Sequence, residues 1–189
     1  MPEHFTSYSE YQRHVDILVG AGLIEDSSMI WWDLRPSARY PTLETRIFDM
    51  CTRIEDAVCL AALTTCLLRS LYRLRLDNQR WRRYNRMLLN ENRWRAMRYG
   101  TDGGLLDLAK GEVVEFGRLL NEILKLVSED AAALGCEQEV AHARTILARG
   151  TSAHQQKRVY EEAVAAGKDP DSAQRDVVRH LIEQTASGM

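Results

Sequence analysis

Apolar and polar positions alternate with two different periods along this chain, and the change between them divides it. Ser7 or Ser9 can cap a first helix in which Tyr11, Val15, Leu18 and Val19 fall on one face at 3.6 spacing. That helix is predicted to stop near Gly20–Gly22. In MIWWDLRP the period shortens to two, with Ile30, Trp32 and Leu34 alternating with Trp31, Asp33 and Arg35. TLETRIFDM repeats the alternation, with Leu43, Thr45 and Ile47 opposite Glu44, Arg46 and Phe48. Two such runs around a short PSARYP loop predict antiparallel strands at about 29–35 and 43–49.

After Met50 the pattern becomes helical and is expected to stay so from about 52 to 188. DAVCLAALTTCLLRSLYRL is apolar on nearly every face until its basic end, as suits a helix buried in a large core. Further helices are predicted at about 78–97, 112–134, 137–148, 153–166 and 170–186, with GTDGG (100–104) as a loop. The fold class is therefore α+β and predominantly helical, a β-hairpin followed by a helical bundle. Two strands do not make a stable sheet by themselves, so the pattern also predicts that further strands complete this one.

Composition changes this picture little. With 45% hydrophobic and 28% charged residues the chain can build a core, and a net charge of −2 gives no general pull toward nucleic acid or an acidic membrane. The local charge is less even: ten Arg lie between Arg69 and Arg98 against Asp77 and Glu91 alone. Arg80, Arg82, Arg83, Arg86, Arg93, Arg95 and Arg98, with Trp81 and Trp94, could form a nucleic-acid face. On one helix they do not gather into a single stripe, so solvated or ion-paired arginines are the simpler reading. The four Cys have neither CxxC spacing nor a secreted framework, and Cys59 and Cys66 share one helix face as small buried hydrophobes. With no signal peptide and no apolar run of membrane-spanning length read in the sequence, the chain is expected to be cytoplasmic. The scattered histidines, Ser37 and the Gly103-Gly104 pair match no metal, hydrolase or phosphate-loop motif.

Glu44-x-Arg46 is the informative pair. Residues i and i+2 of a strand share a face, so a carboxylate and a guanidinium stand side by side. On a solvated sheet that is a salt bridge. Lining a cavity, Glu44 could ligate Mg²⁺ and Arg46 could neutralise phosphate charge.

The segment RPSARYPTLETRIFD resembles the C-terminal core of bacterial carboxylate–amine ligases of the glutamate–cysteine ligase type 2 group. The resemblance continues through CTRIEDAV, LYRLR, NQRWRRYNRMLLNENRWRAMRYGTDGG and HARTILARGTSAHQQ, covering about 4–185. It implies a glutamine-synthetase-like fold and an ATP- and Mg²⁺-dependent reaction. The glutamate γ-carboxylate is phosphorylated, and an amine acceptor such as cysteine attacks the acyl phosphate. It implies Glu44 as a metal ligand and Arg46 as the catalytic, phosphate-facing arginine. Arg35, Arg95 and Arg98 are then candidates for binding substrate or nucleotide. The family's early glutamate-rich strand, which supplies most Mg²⁺ ligands, has no counterpart in this sequence. The chain is therefore expected to be the C-terminal half of such a ligase, truncated or split, with little activity alone. Self-association or a separate N-terminal half would complete it. The competing expectation is a non-catalytic helical module whose Arg-rich helix binds a partner or nucleic acid.

Overall fold

The computed structural model describes residues 1–187 and separates into two compact units, Met1–Met50 and Cys51–Met189. The chain is α+β and mostly helical, as its periodicity predicts.

In the first unit, α1 (Tyr8–Gly20) begins at Ser7, whose side chain accepts from the Glu10 N–H, and buries Tyr11 and Val15. β1 (Leu34–Pro36) and β2 (Leu43–Thr45) pair antiparallel, with Arg35 opposite Glu44. Both strands are shorter than the alternation predicts. Asp26 caps a 3₁₀ turn over Ser27–Met29 by accepting from the Ser28 N–H, and the chain from Ile30 to Asp33 lies outside the ladder. Alternation reports side-chain direction, not backbone pairing, and here only three residues per strand pair.

The second unit is built around α2 (Ile54–Leu76), which ends in a Schellman arrangement. Asn78 takes φ 55°, its N–H reaches the Arg75 carbonyl and the Gln79 N–H reaches that of Leu74. The segment 79–85 is irregular, so the predicted 78–97 helix starts late, as α3 (Arg86–Tyr99) capped by Asn85. A second antiparallel hairpin follows, β3 (Leu105–Asp107) with β4 (Glu112–Val114), where the sequence pattern predicts only loop and helix. EVV at 112–114 extends the apolar helical pattern of the residues after it, which hides the strand. The predicted 112–134 helix divides into α4 (Phe116–Leu126) and α5 (Ser128–Leu134), and 137–148 into α6 (Glu137–Ala141) and α7 (Ala143–Arg149). α8 (Ser152–Ala165) and α9 (Pro170–Ala186) match the predicted 153–166 and 170–186 helices, with a Thr151–His154 capping box opening the first and Asp169 capping the second. The predicted helix limit at 188 falls outside the described residues.

The core joins Cys59 and Cys66 of α2 to Leu120, Leu124, Val127, Ala131, Val140 and Ala143. Burial pushes both thiols up to about 11, so they pack as small hydrophobes; the Cys66 and Cys136 sulfurs lie 3.5 Å apart, both free. α2 is also long and apolar enough to cross a membrane by length and composition, which corrects the expectation that the chain holds no apolar run of that length; the arginines at its basic end lie outside the most apolar part of the helix.

Candidate functional site

The short β1–β2 ladder brings three of the candidate residues together. Arg35, 7% exposed, sends its Nε to Glu44 Oε2 at 2.8 Å and its Nη1 to the Ser28 and Ile30 carbonyls, the latter at 3.0 Å. It therefore ties β2 to the 3₁₀ turn and is occupied by protein groups. Arg46 follows β2 by one residue, and its Nη1 donates to Glu44 Oε1 at 2.6 Å. Its guanidinium carbon lies 4.8 Å from the centre of the Trp31 ring, which holds the flat cation on an aromatic face.

Glu44 thus stands between two guanidinium groups. The Arg35 hydrogen bond is the main cause holding its carboxyl below the usual range; partial desolvation opposes this and Arg46 assists. The group stays ionised, and its side chain is 41% exposed. Each oxygen accepts one of these bonds, leaving lone pairs for a further donor or a cation.

A magnesium octahedron asks for about six oxygens. Among the described residues no group of three or more Asp, Glu, His or Cys side chains could hold a metal ion. Asp33 and Asp49 do not add to it: the N-terminal ammonium lies 3.0 Å from Asp33 Oδ2, and Asp49 accepts from the Met50 N–H. The residues present offer one carboxylate, which does not make a magnesium site.

The other two candidates belong to the second unit. Arg95 donates to the Gly103 carbonyl at 2.5 Å and the Gly104 carbonyl at 3.2 Å, so it fastens the 100–104 loop to α3. Asn92 reinforces the same seam, donating to the Leu106 carbonyl and accepting from its N–H. Arg98 lies over the Tyr99 ring at 5.5 Å. The loop is held from its far side by His154, whose Nε2 is 3.1 Å from both Asp102 oxygens while its Nδ1 meets Thr151 in the α8 capping box. The scattered histidines match no motif in the sequence, and the bridge from His154 to Asp102, 52 residues apart, left no signal there.

The Arg-rich region does not present one face. Arg69 and Arg73 converge on Asp130, which is completely buried, at 2.5 and 2.9 Å. Arg95 is spent on the loop, and the segment 79–85 that carries Arg80, Arg82 and Arg83 is not helical. A groove-reading stripe therefore does not form.

The model of the family described as "Glutamate-cysteine ligase family 2(GCS2)" matches residues 1–183, and the chain belongs to that family. Proteins carrying the name "Putative glutamate--cysteine ligase 2" are similar to it throughout. That of Rhodospirillum rubrum is 63% identical over 99% of this chain and 48% of its own length. That of Jannaschia is 53% identical over 97% and 48%, and that of Ruegeria pomeroyi 50% identical over 97% and 47%. The chain spans about half the length of the curated relatives it matches.

Proposed function

We propose that this chain is one half of an ATP-dependent ligase that joins the γ-carboxyl of glutamate to an amine such as that of cysteine. The observation that carries this reading is the Arg35–Glu44–Arg46 triad, an exposed carboxylate and an aromatic-backed arginine on a short hairpin within a chain of this family. The reaction needs charge neutralisation above all. A γ-carboxylate oxygen attacks the terminal phosphorus of ATP, ADP departs, and the amine then displaces phosphate from the acyl phosphate. Arg46, held over Trp31, is suited to face the phosphate oxygens with a planar pair of donors. Arg35 acts through Glu44 and holds it in place. Of the two arginines in the second unit, Arg95 shapes the 100–104 loop, and Arg98 at the end of α3 is the candidate for meeting an anion.

Glu44 contributes one carboxylate to Mg²⁺ in this proposal. The other oxygens, and the strands of a glutamine-synthetase-like sheet, come from the part of the ligase that this sequence does not span. The enzyme works in the cytoplasm, in keeping with four free thiols.

The test is ADP release with glutamate and cysteine. The 189-residue chain alone should release almost none. Addition of the remaining portion of the Rhodospirillum rubrum relative as a separate chain should give glutamate-dependent release. In a complete ligase Glu44→Gln should lower kcat on the order of 100-fold while leaving the fold intact. Turnover at the wild-type rate in that variant would rule the site out.

A further inference from the structure

The two faces of α2 meet different fates. Cys59, Cys66 and Ser70 are buried against the elements that follow, whereas Ile54, Val58, Ala61, Leu68, Tyr72 and Leu76 are exposed. Spacings of 4, 7, 14, 18 and 22 residues from Ile54 keep this second set within about 40° of one line along the helix. The stripe runs roughly 33 Å, and no charged residue falls on it. Tyr72 is 61% exposed, Leu76 64% and Ile54 56%. Among the described residues, no element of the Cys51–Met189 unit buries these side chains. Thr65, also exposed, falls on the same line, with its hydroxyl turned back to the Ala61 carbonyl, so the strip is apolar apart from this one hydroxyl; an apolar strip of that length is an interaction surface, unlike hydrophobic residues scattered singly.

We infer that this stripe is the seat of the portion of the ligase that the sequence does not span; the inference rests on the ligase reading and names the surface that reading requires. Two observations choose this occupant. The relatives match 97–100% of this chain but only 46–49% of their own lengths, so in each of them a comparable length of other polypeptide accompanies this segment. A second copy would only duplicate the surfaces already present. The second observation concerns the bilayer, the other apolar host open to a helix of this length. On the opposite side α2 buries Asp56, which meets His142 and Arg149, and along its flank Arg69 and Arg73 hold Asp130. Insertion would draw these charges into hydrocarbon or break their pairs. A protein surface laid on one face leaves them as they are.

The remaining portion of the Rhodospirillum rubrum relative, as a separate chain, is titrated into the 189-residue chain. Mass is followed by light scattering and affinity by calorimetry. A one-to-one complex is expected. Val58→Glu and Leu68→Glu should each weaken it about 30-fold or more while circular dichroism stays unchanged. Lys157→Glu, exposed on α8 away from the stripe, should bind like wild type. If the separated portion does not fold alone, co-expression and co-purification of the pair read the same dependence. Binding that ignores both stripe variants would overturn the inference. A stripe-dependent dimer that the other portion fails to displace would also overturn it, as would stripe-dependent capture by phosphatidylcholine–phosphatidylglycerol vesicles. A stripe-dependent complex that releases no ADP would keep the interface and refute the ligase reading, and the reverse result would do the opposite.

Discussion

Glu44 and Asp130 are both carboxylates shared by two arginines, one in each unit of the molecule. Asp130 is 0% exposed and receives Arg69 once and Arg73 twice, at 2.5, 2.9 and 3.0 Å. Glu44 is 41% exposed and receives one bond from each partner. Both carboxyls are held below their ordinary range, chiefly by hydrogen bonding from arginine: Arg73 for Asp130 and Arg35 for Glu44. The chemistry is the same and the surroundings differ. Around Asp130 every acceptor direction is enclosed and the cluster clamps α5 to α2. Around Glu44 solvent reaches the carboxylate, so the pair costs little to open and remains available to a ligand. The two carboxylates differ in enclosure, and a low pKa does not distinguish the open one from the buried one.

The largest expected effect tests the enclosed member. Asp130→Asn leaves two arginines facing a neutral amide in the core, and should cost about 3 kcal/mol in chemical denaturation. The arginines are each about one-third exposed and can turn toward water, which keeps the cost at the low end of buried-pair losses. A loss as small as that of an exposed pair would erase the contrast between the two clusters.

Acid titration sharpens the same contrast. Asp56 is opposed by its own burial, but hydrogen bonds from Arg149 and His142 outweigh it, and its carboxyl too is held low. A carboxyl whose folded pKa lies below its unfolded value contributes stability that is complete above about pH 4, and that stability disappears as pH falls through the folded value. The Cys51–Met189 unit should therefore lose stability below about pH 4, with Asp130→Asn flattening that fall. Tryptophan fluorescence and circular dichroism against pH measure it. A wild-type profile flat down to pH 2 would contradict this role for both aspartates.

A smaller effect is expected in the second hairpin. Gly104 has φ +61°, and an added Cβ would lie 2.5 Å from the Val114 carbonyl oxygen, a backbone atom that cannot easily move. Gly104→Ala should cost about 2 kcal/mol and speed amide exchange across 104–114. Normal exchange there would mean that the hairpin tolerates a side chain at its closest approach.

The smallest effect on stability should come from Glu44→Gln in the 189-residue chain. Its melting temperature should stay within error of wild type, because the carboxylate is open to water and the amide keeps its shape. A large drop would move Glu44 into the same structural class as Asp130.

Several of these features were legible along the sequence. Ser7, one of two candidate caps, announced the start of α1, and an antiparallel pairing of the two alternating runs followed from the short loop between them, though the paired residues are fewer than the runs suggested. The association of Glu44 with Arg46 followed from their two-residue spacing. The β3–β4 hairpin was not legible. Its strands are three residues long, and Val113 and Val114 read equally well as the first apolar positions of the helix that follows. Its order comes from Asn92 and Arg95, which reach it from α3.

Local periodicity by itself determined the helical character, the first hairpin and the family-bearing motifs, because those depend on residues a few positions apart. Tertiary structure alone decided which arginines were taken. Arg69 and Arg73 found Asp130 some sixty residues away, and Arg95 turned to its own loop. It also decided which side of α2 was buried. A helix apolar on most faces has no preferred side until its neighbours choose one. Here Cys59 and Cys66 were covered and the Ile54–Leu76 stripe was left open, because burial is set by the surfaces that arrive from distant parts of the chain.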